Sequence, residues 1–392
     1  MRLSQPNPIL HYEWDTWGIM DKEWTEANDA VAVTSASAEN PNYAALHANG
    51  TGPFRVVSHE QGVRTVFEAN PDWWEWEDRN FNIDRAVFTP IGSDATRVAA
   101  LLSGELDLAY PIPVQDIRRV ESNPGTEALT GPELRTIFLG MDQMRDELLY
   151  SDVEGENPFK DVRVRKAFYQ AIDIEAIKQK IMRGLSTPSA LMIAPQLFVH
   201  SDEFERFPYD PEAASELLAE AGYPDGFSVG MDCPNDRYVN DEAICQAVVG
   251  MLGQIGIDVD LNAQPKAQYF AKVLASGGYD TSFYLLGWTP GSFDSWNVLH
   301  NLHGCRDASG KGGPFNLGGY CNETVDELTA RILVENDPEV RADLIRQAYE
   351  ITTSEVSHVP LHQQGLAWGK SVDVEVVQRP DNVLMFYHVN KN

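Results

Sequence analysis

Apolar and polar positions alternate with changing period along this chain. From residue 50 onward the period switches repeatedly between two and about three and a half. Phe54 to Val57 is a short apolar run entered through Gly50, Gly52 and Pro53, a sharp turn feeding a strand. Thr65–Glu68 and Ala86–Phe88 read as further strands. Between Asp94 and Leu102 the positions Val98, Leu101 and Leu102 recur at helical spacing, Gly104 is a stop, and Leu106 with Leu108 resume as a strand. Leu134–Met141 is another apolar strand.

The second half follows the same logic. Pro158–Asp161 caps a helix through Ala171, and Ile172 to Met182 reads as the next, ended by Gly184. Asp210-Pro211 is a helix start and Gly222 its stop, with Ala214, Leu217, Leu218 and Ala221 as the buried stripe. Strand Phe227–Met231, helix Asp241–Gly256, strand Ile257–Leu261, helix Ala267–Ser276 and strand Asp280–Leu286 then form a series that predicts a parallel-rich α/β unit. Thr324 and Glu327 match a capping box opening a helix to Val334, Asp337-Pro338 opens another to about Ser354, and Val359–Val389 reads as short alternating strands. Residues 1–48 are polar, broken by Pro6, Pro8 and Pro41, and only Met20–Ala30 suggests a helix.

A chain of 392 residues exceeds what one core serves, since cores stop growing at roughly 250–300 residues. Two lobes, or one lobe and part of another, are expected. No window approaches the roughly 20 apolar residues of a membrane span. Thirty basic against fifty-nine acidic residues give a formal charge of −29, which repels phosphate backbones and argues against nucleic acid as a partner.

The four cysteines, 233, 245, 305 and 321, lack the paired spacing of a zinc site. Cys305 with Cys321 is the favoured bridge, because the intervening Gly-rich loop needs a tether; Cys233 and Cys245 are left open between a bridge and buried free thiols. Catalytic signatures are missing. Gly369-Lys370-Ser371 has Gln364 where a phosphate loop needs glycine, and neither G-x-S-x-G nor H-E-x-x-H occurs. His300 and His303 share a helix face with no third ligand in sequence, and His358 and His362 straddle Pro360, which makes them strand residues. No cofactor and no metal are expected.

Two segments have the composition of a ligand site. Gly287–Asn297 follows a buried strand and gathers Trp288, Gly291, Asp294 and Trp296, flat apolar surfaces with few polar groups. Arg237-Tyr238 precedes the helix at Asp241, and arginine offers a planar fork suited to a carboxylate; the alternative is an ion pair with Asp236 or Asp241. Trp73 and Trp74 are assigned to packing.

The succession GTGPF, NPDWW, NIDRAVF, DATRVAALLSGELDL and RTIFLGM resembles the extracellular solute-binding family 5 of ABC importers, the peptide- and oligopeptide-binding group. The resemblance continues through NPFKDVRVRKAFYQAID, YDPEAASELLAEAGYPDGF, NDRYVNDEAICQAVVGMLGQIGIDV, GWTPGSFDSWNVLH and LGGYCNETVDELTARI, from about Trp24 to the end. It implies an α/β, two-lobe periplasmic binding protein fold of the class with an extra subdomain, whose N-terminal strands and subdomain are largely missing here. Residues 1–48 would be a connector, 49–136 a first lobe to which 362–392 return, and 137–361 a second lobe, with hinge strands near Ile137 and Leu361. It further implies a periplasmic, monomeric receptor, not an enzyme, that binds a di- or oligopeptide between its lobes and hands it to permease subunits in the membrane. A sugar or metal-chelate receptor of the same fold, or a secreted hydrolase, is the alternative. The run Met1–Pro6 has no apolar stretch of the length a secretion signal needs. The resemblance implies an export signal and a long stretch before the equivalent of IMDKEWTEAN, so Ile19–Asn28 is expected to correspond to the middle of a longer precursor. In dipeptide-binding relatives an Asp of the Gly287–Asn297 loop pairs with the ligand's ammonium; that position falls on Gly291, so Asp294 either takes over the amine or the ligand lacks one.

Overall fold

The computed structural model describes residues 3–14, 18–36 and 38–392; Met1 and Arg2 of the leading run lie outside the described residues. The chain divides into two units, Met1–Thr16 with Pro132–Gly365, and Trp17–Gly131 with Leu366–Asn392.

In the second of these, strands β1 (Phe54–Glu60), β2 (Arg64–Ala69) and β3 (Arg85–Phe88) form an antiparallel sheet in that order. Phe54 and Phe67 both meet Phe386, at ring distances of 5.5 and 5.0 Å, so the chain's end packs on the sheet. Trp73 packs on Phe81, whereas Trp74 stands exposed. The helix Asp94–Leu102 is capped by Ser93 and leads to β4 (Leu108–Ala109).

The other unit is built on one large sheet, and two of its strands run through the division of the chain: β5 (Thr126–Met141) and β10 (Val359–Ser371). With β6 (Ser186–Pro188), β7 (Ser228–Pro234), β8 (Asp258–Gln264) and β9 (Phe283–Trp288), the order is β10-β5-β9-β7-β8, and β6 pairs with β10. At the far end of β10, Gly369 and Lys370 pair with Ala109 and Leu108 of β4. The short pair β11 (Val374–Val376) and β12 (Val389–Lys391) completes the strands. β7 is parallel to both β8 and β9, whereas β5 runs antiparallel to β9, with Thr136 opposite Trp288.

The period of two sorts the core. Ile137, Leu139 and Met141 of β5, with Phe283 and Leu285 of β9, enter one cluster, packed by helices Val162–Gln170, Pro211–Glu220 and Asp241–Gly253. Phe138, Tyr284 and Leu286 enter the opposite cluster with helices Lys266–Val273, Glu323–Val334 and Pro338–Ser354. Helices on both faces keep water off the middle of the sheet, which is why β9 and the last residues of β5 read as continuous apolar runs.

Three local expectations are corrected. Helix Glu323–Val334 is capped by Asn322, whose Oδ1 accepts the N–H groups of Thr324 and Val325, so the cap lies two residues before Thr324. Ile174–Ala176 is a single α turn that widens into a π turn at Ile177–Ile181 instead of one regular helix. The tail does not begin as short strands: Val359–Ser371 is one strand of 13 residues, buried through Lys370, because it lies inside the sheet and has no solvent face to impose alternation.

Candidate functional site

The carboxyl ends of β7 and β9 lie side by side, the place where open α/β sheets bind ligands. Past the end of β7 the chain turns through Asn235–Asn240. Asn240 is held in the left-handed region at φ 54°, and its amide donates to Ile181 O. Asp241, almost fully buried, accepts the backbone N–H groups of Arg237 and Tyr238, each at 2.9 Å, so its carboxylate fixes the turn instead of pairing with the Arg237 guanidinium. Burial pushes the Asp241 carboxyl above its ordinary range.

Tyr238 then lies against β9. Its hydroxyl donates to Gly287 O at 3.3 Å, and a Cβ at Gly287 would stand 2.7 Å from Tyr238 Cε1 and 2.8 Å from Ile137 Cδ1. Only glycine admits that ring.

Two guanidiniums approach the same tyrosine, Arg237 with Cζ 5.0 Å from the ring centroid and Arg135 at 5.7 Å. Arg135 donates from Nε to Glu133 at 3.2 Å; Glu133 is buried, and its other oxygen accepts Gln364 Nε2 at 2.6 Å. Gln364 Oε1 in turn accepts the Val239 N–H, tying β10 to the turn after β7. Burial raises the Glu133 carboxyl, against the pull of Arg135 and, more weakly, Arg237. Among the described residues no carboxylate is hydrogen-bonded to the terminal N–H groups of either guanidinium. The cluster therefore has spare, forked donors beside an aromatic ring.

The loop after β9 lies on the other face of the sheet, where Trp288 and Trp296 pack against the cluster of Phe138, Tyr284 and Leu286, whereas Tyr238 packs with Ile137 and Leu285. Trp288 donates Nε1–H to Asn297 Oδ1 at 2.8 Å and meets Phe315 at a ring distance of 4.8 Å. Phe293 is held at φ 50°, a strained setting for a side chain of that size. Gly291 faces open space, with nothing within 4 Å of a Cβ placed on it. Trp296 stacks on His300 at 4.8 Å. Asp294 accepts the Trp296 N–H as a helix cap and is also held by both terminal nitrogens of Arg341, at 2.7 and 2.8 Å. A carboxylate so engaged has little left for a ligand amine.

Trp288, Gly291, Asp294, Trp296, Arg237 and Tyr238 thus all lie in one unit, on or beyond the ends of β7 and β9. Sequence reasoning missed Arg135, Glu133, Gln364, Arg341 and Phe315. The first two stand two positions apart on one strand, with Leu134 between them, a visible signal that they share one face; the others come from distant segments and left none. Cys305 is bridged to Cys321, and Cys233 to Cys245, so the chain has no free cysteine.

The family described as "Bacterial extracellular solute-binding proteins, family 5 Middle" matches residues 2–310. A glutathione-binding protein of Salmonella choleraesuis is 27% identical over 318 residues, which cover 81% of this chain and 59% of that protein. The chain therefore spans less than two thirds of the length of such curated relatives. A DppA periplasmic binding protein of Helicobacter pylori, solved with the peptide STSA, superposes with a TM-score of 0.81 at 20% identity, over 99% of this chain and 71% of that one. A dipeptide-binding protein of Pseudoalteromonas, solved with Met-Leu, gives 0.76 at 21% identity, over 95% and 69%. These likenesses show the α/β fold of periplasmic binding proteins.

Proposed function

Because the chain belongs to family 5 of the bacterial extracellular solute-binding proteins, which are periplasmic transport receptors and not enzymes, we propose that it binds a di- or tripeptide for delivery to a membrane permease. Glutathione and simple dipeptides are the ligands to try first, since relatives carry those names. The observation that supports a peptide is the pair of guanidiniums on Tyr238, Arg135 and Arg237, whose unspent forks suit a carboxylate. A chain of net charge −29 repels anions at long range, so the carboxylate must be caught locally by such forks. Trp288 and Phe315 would receive the ligand's apolar part. With Asp294 taken by Arg341, the ligand's ammonium is not held there.

Titration calorimetry with glutathione, Met-Leu, a C-terminally amidated tripeptide, an oligosaccharide and a nickel chelate tests this. The peptide carboxylates should bind, the amidated form about tenfold or more weaker, in line with the worth of a charged hydrogen bond. Binding of the sugar or the chelate alone would remove the peptide assignment, and turnover of any of these ligands would remove the receptor assignment.

A further inference from the structure

Phe315 is 36% exposed although it packs on Trp288. It belongs to the segment between Cys305 and Cys321, which contains no helix or strand and carries Gly310, Gly312, Gly313, Gly318 and Gly319. Two backbone bonds hold the aromatic directly, from the Phe315 N–H to Asn301 O and from the Leu317 N–H to Phe315 O, both at 3.0 Å. The covalent tie is the Cys305–Cys321 bridge, which spans 16 positions of sequence. The two disulfides differ in access. Cys233 and Cys245 are each fully buried, whereas Cys321 is exposed and Cys305 half-buried. A thiol in solution reaches one bridge and not the other.

We infer that Phe315, packed on Trp288, is a specificity-determining wall of the candidate ligand site, held in place by the Cys305–Cys321 bridge, so that opening this bridge weakens ligand binding. The inference rests on the peptide-receptor reading. Opening is a two-electron reduction by an external dithiol. A thiolate of the reagent attacks the exposed Cys321 sulfur, the S–S bond breaks, and Cys305 leaves as a thiolate that takes up a proton. The reagent's second thiol then displaces Cys321 and closes a cyclic disulfide, so the protein gains two electrons and two protons that the reagent loses.

The test treats the folded full chain with dithiothreitol, alkylates it and maps the labelled cysteines. S-methylglutathione, which has no free thiol, is then titrated into both forms. Label should appear on Cys305 and Cys321 and not on Cys233 or Cys245, and the affinity should fall by about tenfold, the scale of one aromatic pair. Phe315→Ala with its bridge intact should lose as much, Phe315→Tyr should keep wild-type affinity, and reduction of Phe315→Ala should add nothing. Unlabelled Cys305 and Cys321, or unchanged affinity after confirmed opening, overturns the inference.

If S-methylglutathione binds neither form, the tripeptide assignment fails, and a readout without ligand decides the inference. Amide exchange over residues 313–317 and 288–301 must accelerate on reduction and in a Cys305→Ser, Cys321→Ser double variant. Unchanged exchange overturns it.

Discussion

Asp294 and Arg341 meet as a two-toothed pair, with nitrogen-to-oxygen distances of 2.7 and 2.8 Å and both side chains largely out of water. Asp294 also caps the turn Ser295–Val298, so a single carboxylate ties the loop after β9 to helix Pro338–Ser354. Arg341→Ala strands a buried charge and should lower stability by about 3 kcal/mol. Adding Asp294→Asn removes that charge while keeping an oxygen for the cap, and should recover most of the loss. Urea midpoints for the two variants check this; a single variant within 0.5 kcal/mol of wild type, on the order of an ordinary surface change, would show that the pair is idle.

Gly291 gives the opposite opportunity. A side chain there meets nothing within 4 Å, and the residue does not require a left-handed backbone. Gly291→Asp should therefore fold normally and place an unpaired carboxylate on the Trp288 loop. Affinity for a peptide with a free ammonium should rise several-fold, and affinity for its N-acetylated form should not, because an exposed ion pair contributes up to about 1 kcal/mol. Equal gains for both peptides would mean that the loop does not approach the amine end.

How far the sequence could lead is clear from these two residues. Gly291 and Asp294 were both placed on the loop after a buried strand by local pattern alone, and so were Arg237 and Tyr238 before their helix. Their partners were not. Arg341 is 47 positions from Asp294 and Gln364 is 231 from Glu133; the first pairing is set by how a helix packs on the sheet and the second by the order of strands within it. Local pattern fixes which faces are apolar and where helices start, but carries no information on which distant polar group will lie opposite. The buried strand Val359–Ser371 fails for a related reason. With both faces covered, its consecutive polar residues His362, Gln363 and Gln364 are buried and interrupt the apolar run, so the sequence reads as shorter strands.

Gly287 and Tyr238 make a sharper steric case. A methyl group at Gly287 would stand 2.7 Å from the ring and 2.8 Å from Ile137, and neither neighbour can withdraw without leaving the core. Gly287→Ala should cost about 1–3 kcal/mol of stability, as overpacking does. It should also tilt Tyr238 away from Arg135 and Arg237 and weaken binding of a carboxylate ligand more than binding of its amide. Calorimetry with the two ligands separates this from a general loss of folded protein, which would lower the binding stoichiometry for both equally.

A group of buried histidines sets the response to acid. His303 and His358 lie edge to face at a ring distance of 5.1 Å, His303 Nδ1 shares a hydrogen bond with Ser357, Phe138 packs on His358, and His362 is fully enclosed in β10. Burial pushes His358 and His362 down to about 3, and lowers His303 well below its ordinary value with His358 adding to the effect. Their folded-state values lie below the unfolded one of about 6.5, so on acidification the unfolded chain takes up protons first. Stability is therefore intact above neutrality and falls as pH drops through 6.5, each histidine approaching about 1.4 kcal/mol per pH unit. Glu133 and Asp241 act with the opposite sign, since burial raises both carboxyls and so favours the folded state in acid. The interval from pH 7 to 5 spans the unfolded histidine value, and comparison with a histidine variant separates the rings from the carboxyls. Urea midpoints should fall across that interval, and His358→Phe, which retains the aromatic contact with Phe138, should flatten the slope by one proton's worth. A wild-type midpoint independent of pH from 7 to 5 would mean that these rings are charged, or hydrated, in the folded protein.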